Sequence, residues 1–171
     1  MFHLRQLFHH YSVFLASTLI FIHFCFSSSF PSGAPSDACS NLTPRHIGTK
    51  PRSGNNSPYS IHANYYSFGH DAPSQDGIKV RIEGPPFRGF LVTAVDANSG
   101  KRIGKFAKLQ GTNTIEACSG ITHADRRSKR AATLLWLPPG EGSGTVSFIA
   151  TVVRSFNEYY TPITAEFDHR K

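Results

Sequence analysis

Short runs of alternating apolar and polar residues, each bounded by turn-forming residues, constrain the fold of this chain most. Ile78, Val80 and Ile82 alternate with charged residues, and residues 146–153 repeat an alternating pattern over the length of one strand. Side chains of a β-strand point in turn to its two faces, so this period predicts strands with one buried face. Gly, Pro and Asn punctuate the chain about every 8–12 residues, and no helical apolar stripe appears after the N-terminal segment. The sequence therefore predicts an all-β fold, with a β-sandwich as its architecture.

The same signals place the individual strands. We expect strands at residues 59–61, 78–83, 90–95, 103–109, 114–118, 132–137, 146–153, 159–160 and 163–167. Pro85 and Pro86 are predicted to end the second of these, because proline cannot donate to a strand ladder. Residues 122–130 are predicted to form a charged loop. Phe90, Trp136, Phe148 and Val152 are predicted to lie in the core.

The N-terminus has the residue order of a secretory signal peptide. Arg5 is followed by an apolar run from Tyr11 to Phe26 and then by small serines up to Ser29. A membrane-spanning helix needs about 20 apolar residues, whereas this run is shorter and contains His23. We therefore expect residues 1–29 to be a signal peptide cleaved near Ser29, and residues 30–171 to be a single secreted domain. A retained membrane anchor is the alternative.

Cleavage would leave two cysteines, Cys39 and Cys118, which are 79 positions apart. In an oxidising compartment they most simply pair with each other, and the bridge would stabilise the fold by roughly 4–5 kcal/mol on a chain-entropy argument. Two buried free thiols, or pairing between chains, are the alternatives. Residues 30–57 are rich in Pro, Ser, Gly and Asn, and we call them the lead-in. They are predicted to be irregular and to be held to the domain through Cys39.

The charge of the chain is mildly basic, with 18 Lys and Arg against 11 Asp and Glu. This excess favours anionic surfaces such as bacterial envelope lipids or acidic glycans. It is too small, in a secreted chain, to indicate nucleic-acid binding. Two basic groups are the candidate ligand contacts: Lys101, Arg102, Lys105 and Lys108, and then Arg126, Arg127, Lys129 and Arg130. A solvated surface is the alternative for both groups, and a dibasic processing site is a further alternative for the second. The binding hypothesis is strengthened if the two groups lie side by side.

Two further motifs concern modification and chemistry. Asn41 and Asn55 each begin a glycosylation sequon, although the proline that follows each sequon should lower its occupancy. The histidines after residue 29 lack the spacing of metal ligands: His46, His62, His70, His123 and His169. No phosphate-binding loop, nucleophile elbow or paired-carboxylate spacing is present, so we predict no catalytic residue, metal or cofactor.

An ordered set of short motifs resembles the reeler (reelin-type) domain family. The motifs are Phe30-Pro31-Ser32-Gly33-Ala34-Pro35, Ala38-Cys39, Pro44-Arg45-His46, Pro58-Tyr59, Phe87-Arg88-Gly89-Phe90-Leu91, Cys118, Thr122-His123, Lys129, Trp136 and the run from Phe148 to Val153. They follow the order of the family over about residues 30–165. The Trp that antibody domains place between their two cysteines here follows the second one, which separates this chain from ordinary immunoglobulin domains.

The resemblance implies an immunoglobulin-like sandwich and a Cys39–Cys118 bridge. It also singles out His123, which we expect to order the loop after Cys118. From the sequence we expect neither the transmembrane helices of the ferric-chelate reductases nor the repeats of the spondins. Its layout is most similar to the short secreted insect defence proteins of the noduler group. This implies a non-enzymatic role in innate immunity through binding of microbial surface components. An extracellular matrix or adhesion module is the main alternative, and a redox or metal-handling domain is another.

Overall fold

Extended strands make up most of the domain in the computed structural model, which describes residues 32–44, 46–74 and 76–167. The predicted signal peptide and its cleavage site lie outside these residues, as does His169. The strands are β1 (Ser60–Ala63), β2 (Ser67–Phe68), β3 (Ile78–Phe87), β4 (Gly89–Asp96), β5 (Lys105–Phe106), β6 (Thr112–Ile115), β7 (Gly120–His123), β8 (Lys129–Leu137), β9 (Gly144–Ser155), β10 (Glu158–Thr164) and β11 (Glu166–Phe167). Short 3₁₀ turns occupy Ser36–Ser40, Gly54–Asn56 and Glu116–Cys118.

The strands form two sheets with one core between them. The five-stranded sheet has the order β11-β1-β3-β8-β5, and the six-stranded sheet has the order β10-β9-β4-β7-β6, with β2 also paired to β9. Neighbouring strands are antiparallel, except that β11 adds to β1 in parallel at the edge of the five-stranded sheet. The predicted all-β, immunoglobulin-like antiparallel sandwich is thus confirmed. No helix in the described part of the chain is long and apolar enough to cross a bilayer.

The core is built around Trp136, whose side chain is completely buried. Its ring makes edge contacts with Phe68 and Phe148, at centroid distances of 5.6 and 5.7 Å. The indole N–H donates to the carbonyl of Ile103 at 3.2 Å, so the one polar atom of this side chain is satisfied. Gly104 adopts a φ of +63°, and a side chain there would overlap the Trp136 ring. The predicted core residues Phe90, Trp136, Phe148 and Val152 are all buried.

Several predicted strand limits are wrong. β3 continues through Pro85 and Pro86 to Phe87, because its pairing with β8 shifts register between Glu83 and Phe87. Such an irregularity interrupts the ladder, and proline, which has no N–H to donate, is tolerated there. The strand predicted at 103–109 is reduced to β5, since Gly104 turns the chain just before it. The loop predicted at 122–130 begins inside β7.

The lead-in packs on the outer face of the six-stranded sheet. The Cys39–Cys118 disulfide is formed, with 5.6 Å between the Cα atoms, and joins the 3₁₀ turns Ser36–Ser40 and Glu116–Cys118. Leu91 points outward from β4, while its neighbours Phe90 and Val92 point into the main core. A second apolar cluster therefore forms under the lead-in, from Ala38, Cys39, Leu91, Ile115 and Cys118.

Candidate functional site

A groove of about 280 Å³ opens on the outer face of the six-stranded sheet. The lead-in forms one wall, and the β3–β4, β7–β8 and β9–β10 connections border the rest. The lining residues are Gly33, Ala34, Pro35, Ala38, Leu42, Pro44, His46, Arg88, Gly89, Phe90, Leu91, His123, Arg126, Thr151, Val153, Ser155 and Phe156. We refer to this feature as the groove.

The floor of the groove is apolar because the strands beneath it turn alternate side chains outward. Leu91 of β4 and Val153 of β9 both face it, and Ala38 and Leu42 approach from the lead-in. The floor also contains the hydroxyl of Thr151, which is bonded to the carbonyl of Leu42 and to the hydroxyl of Thr161 at 2.8 Å. That hydroxyl is therefore already satisfied within the protein.

The outer end of the groove carries an aromatic pair. Phe156 is 47% exposed and stacks on the His46 ring, with 4.6 Å between the ring centroids. The His46 ring nitrogen Nδ1 lies 2.7 Å from the carbonyl oxygen of Phe156, so the two residues are also joined by a hydrogen bond. This contact ties the lead-in to the turn between β9 and β10. It also places an exposed apolar ring at the mouth.

Thr122 and His123 complete the hydrogen bonding of β4 where its pairing with β7 ends. The last paired residues are Leu91 and Thr122. Beyond them the Thr122 hydroxyl donates to the carbonyl of Phe90 at 2.6 Å, and the Phe90 N–H donates to Nδ1 of His123 at 3.2 Å. The Thr122 oxygen also accepts the N–H of Ala34 at 3.0 Å. These two side chains replace a backbone ladder and hold the start of the lead-in.

His123 fits this position as a neutral ring. Its pKa is lowered, first because burial disfavours the charged form, and the positive charge of Lys129 acts in the same direction. The ring lies directly over Gly89, where a Cβ would be 2.7 Å from its Cε1 atom. Gly89 is therefore required by close approach, and His123 has a structural role in ordering this end of the groove.

Two arginines border the groove. Arg88 and Arg126 are exposed, and the described lining residues include no carboxylate. Within the described part of the chain, neither guanidinium is hydrogen-bonded or ion-paired to an acidic side chain. The run of basic residues in the sequence indicates Arg126 as a ligand candidate, whereas Arg88 is not among the predicted ligand contacts although it lies inside the Phe87–Leu91 motif. Only the three-dimensional arrangement shows that the two arginines border one cavity.

Lys129 positions the loop that carries Arg126. Its ammonium group donates to the backbone carbonyl of Asp125 at 2.8 Å, to the Asp125 carboxylate at 3.0 Å and to the carbonyl of Arg127 at 2.8 Å. It also reaches the carbonyl of Arg88 at 3.3 Å. Its side chain is only 16% exposed. Lys129 thus connects the β7–β8 loop to the β3–β4 turn, and its charge is used inside the protein.

The Asp125 carboxylate is the acceptor around which this loop is organised. Hydrogen bonds from the side chains of Arg127 and Lys129 hold the pKa of Asp125 well below its usual range. The Arg127 guanidinium is 2.7 Å from that carboxylate and remains 82% exposed. Of the second predicted basic group, Arg126 and Arg130 are the two members outside this network.

The two predicted basic groups do not lie side by side. Lys105 pairs with Leu137 at one end of β8, whereas Lys129 and Arg130 begin the strand at its other end. Eight residues at about 3.3 Å each separate these ends by about 26 Å. Lys101 and Lys105 are exposed at the far end. The Arg102 guanidinium is engaged internally, since it donates to the carbonyls of Cys39 and Cys118.

The sequons are placed on the surface of the lead-in. Asn41 and Asn55 are both exposed. The Asn41 side-chain oxygen accepts the N–H of Thr43 at 3.0 Å in a local turn. Glycosylation at either residue stays a prediction. In the described residues, no three His, Cys, Asp or Glu side chains converge in a way that could hold a metal ion.

A family model and relatives of this chain agree on one family. The Reeler domain model matches residues 37–168. Defense protein l(2)34Fc of Drosophila melanogaster is 30% identical over 154 residues, which cover 82% of this chain and 89% of that protein. Ferric-chelate reductase 1 of Bos taurus is 28% identical over 157 residues, which cover 87% of this chain. The chain spans only about a quarter of the reductase, where the matched residues cover 25% of the length.

A solved structure agrees with the fold. A crystal structure of the human F-spondin reeler domain superposes with a TM-score of 0.53 at 22% sequence identity, covering 75% of this chain and 97% of that one. At this identity the likeness shows the fold alone. The family model and the insect relative indicate an extracellular module.

Proposed function

The chain belongs to the Reeler domain family, and we propose that it is a secreted, non-enzymatic defence protein that binds anionic material on microbial surfaces. The observation that carries the proposal is the pair of exposed arginines beside the apolar groove, with no carboxylate among its described lining residues. Arg88 and Arg126 each have five N–H donors that suit phosphate and carboxylate groups. Such groups are abundant on bacterial envelopes, so the chemistry of this border matches the proposed target.

The insect relative supports the defence role. The matched region covers 89% of Defense protein l(2)34Fc, compared with 25% of the bovine reductase. The similarity to the insect protein therefore extends over nearly all of that protein. The mild basic excess of this chain acts in the same direction, because it attracts anionic surfaces at a distance.

Binding to lipopolysaccharide and to intact bacteria tests the proposal. Raising the salt from about 0.1 M to about 1 M shortens the Debye length from about 10 Å to about 3 Å, so we expect binding to weaken markedly. Zwitterionic vesicles serve as the control surface and should bind little protein. Equal binding to anionic and zwitterionic surfaces, or binding unchanged in high salt, would overturn the electrostatic basis of the proposal.

A matched pair of double variants locates the contact. Arg88→Gln/Arg126→Gln removes two charges beside the groove, and Lys105→Gln/Arg130→Gln removes two exposed charges elsewhere. We expect the first variant to bind lipopolysaccharide roughly tenfold more weakly, since exposed ionic contacts contribute up to about 1 kcal/mol each. The second should bind nearly as the natural protein does. If a single stoichiometric protein partner is recovered from body fluid and no microbial ligand binds, the adhesion alternative replaces this proposal.

A further inference from the structure

The groove has the composition of a site for an alkyl chain with a charged end. Its floor and walls present Leu91, Val153, Ala38 and Leu42, and its charged border consists of arginines. The hydroxyls of Thr122 and Thr151, which lie at its base, are already bonded within the protein. A sugar or peptide lying on this apolar floor would lose hydrogen bonds to water, and neither of these two hydroxyls is free to replace them. An alkyl chain would lose none.

We propose that the groove binds one alkyl chain of a membrane-derived anionic amphiphile, with its headgroup against Arg88 and Arg126. This inference rests on the proposed function and names the part of the microbial surface that is recognised. The occupant is identified by charge complementarity: an apolar slot whose described lining has two arginines and no carboxylate suits a molecule with an apolar tail and an anionic head. Phe156, exposed at the mouth, extends the apolar surface toward the rest of such a lipid.

The size of the groove limits how much of the chain it can cover. A methylene group fills about as much space as a water molecule, whose share of liquid volume is about 30 Å³, so 280 Å³ accommodates about eight to ten carbon atoms. This corresponds to one chain and not to the several chains of a whole lipid. Each methylene buried in the floor should tighten binding about fourfold. Methylenes beyond the filled groove should add little.

Calorimetric titration of the natural protein with a series of alkyl phosphates tests the inference. Butyl, hexyl, octyl, decyl and dodecyl phosphate are each used below the concentration at which they form micelles. We expect affinity to rise about fourfold per methylene and to level off near decyl phosphate. Inorganic phosphate and octanol, which carry only the head or only the tail, should bind much more weakly than octyl phosphate. Affinity independent of chain length would overturn the inference.

Two tryptophan variants on the outward side of β9 test whether the ligand binds in the groove or elsewhere on the sheet. Val153→Trp places a large ring in the groove, and Ile149→Trp places the same ring four residues away, outside the lining. We expect the first to weaken decyl phosphate binding at least tenfold and the second to leave it within about twofold. Equal effects of the two would contradict the inference. Denaturant unfolding of both variants identifies any loss that comes from misfolding.

The experiments distinguish an error in the alkyl-chain site from an error in the proposed function. If lipopolysaccharide binding is salt-sensitive and needs Arg88 and Arg126, but Val153→Trp binds it normally, the alkyl site is wrong and the defence function stands. If decyl phosphate binds with the expected chain-length dependence but no microbial surface does, the alkyl site stands and the function is wrong. If sedimentation shows a dimer that Val153→Trp dissociates, the groove is occupied by a second copy of the chain, which overturns the inference.

Discussion

Replacing Thr122 by valine should release the start of the lead-in from the sandwich. The Thr122 side chain is 1% exposed, and its hydroxyl connects two backbone segments. It accepts the N–H of Ala34 at 3.0 Å and donates to the carbonyl of Phe90 at 2.6 Å. Valine has nearly the same shape, so the substitution removes these bonds without leaving a cavity. The measured loss is therefore an estimate of the hydrogen bonds themselves.

The expected magnitude follows from the two groups left without this partner. A buried hydrogen-bonding group that loses its partner costs about 1–3 kcal/mol. With the Ala34 N–H and the Phe90 carbonyl both affected, we expect Thr122→Val to lower the free energy of unfolding by about 2–4 kcal/mol. Thr122→Ser is the matched control. It keeps the hydroxyl and loses one methyl group, which costs about 1 kcal/mol.

Urea unfolding followed by tryptophan fluorescence measures this difference. Trp136 is the single tryptophan of the chain and is fully buried in the core, so its emission reports global unfolding. Hydrogen exchange at the Ala34 amide should also be faster in the valine variant than in the serine variant. A valine variant as stable as the serine variant would mean that the Thr122 hydroxyl does not substitute for a strand ladder.

Three other perturbations test separate parts of the structure. Arg102→Gln removes the guanidinium that donates to both cysteine carbonyls, and it should lower the free energy of unfolding in urea by about 1–2 kcal/mol. The control Lys101→Gln should change it very little, and equal losses would contradict the assigned contacts. Replacing both Cys39 and Cys118 by alanine should lower the free energy of unfolding by about 4–5 kcal/mol because the bridge spans 79 positions. A loss below about 1 kcal/mol would contradict the chain-entropy estimate. The pKa of His123 is lower in the folded than in the unfolded protein, so the unfolded chain binds the proton more tightly. The free energy of unfolding should therefore be unaffected by this group above about pH 6.5 and should decrease as the pH falls below that value. His123→Gln should flatten that decline in thermal unfolding, and an unchanged pH profile would contradict the assignment.

Much of the fold follows from local sequence patterns. The alternation at Ile78, Val80 and Ile82 and along β9 specifies which faces are buried, and the structure buries those faces. Side-chain period depends only on the extended backbone, so it can be read without knowing the partners of a strand. The extent of pairing cannot be read in this way. β3 runs past Pro85 and Pro86 because a register shift accommodates them, and that shift depends on β8, about fifty residues further along the chain.

The candidate site was less predictable than the fold. A run of basic residues indicates Arg126 as a candidate, but its neighbours differ in role: Lys129 holds the loop, and Arg127 pairs with Asp125. Arg88 gave no such signal, because an isolated arginine after a strand is usually solvated. The groove arises from four segments that are distant in sequence. Only the docking of the lead-in, through Thr122 and the Cys39–Cys118 bridge, turns the outer face of a sheet into a cavity.

Two-dimensional NMR of the isotopically labelled protein, titrated with decyl phosphate, tests most directly whether the groove is the ligand site. We expect saturable shift changes concentrated at Leu91, Val153 and Arg88 and along the facing part of the lead-in. Changes concentrated around Lys101 and Lys105 at the opposite end of the domain, or an unchanged spectrum at saturating ligand, would contradict this assignment.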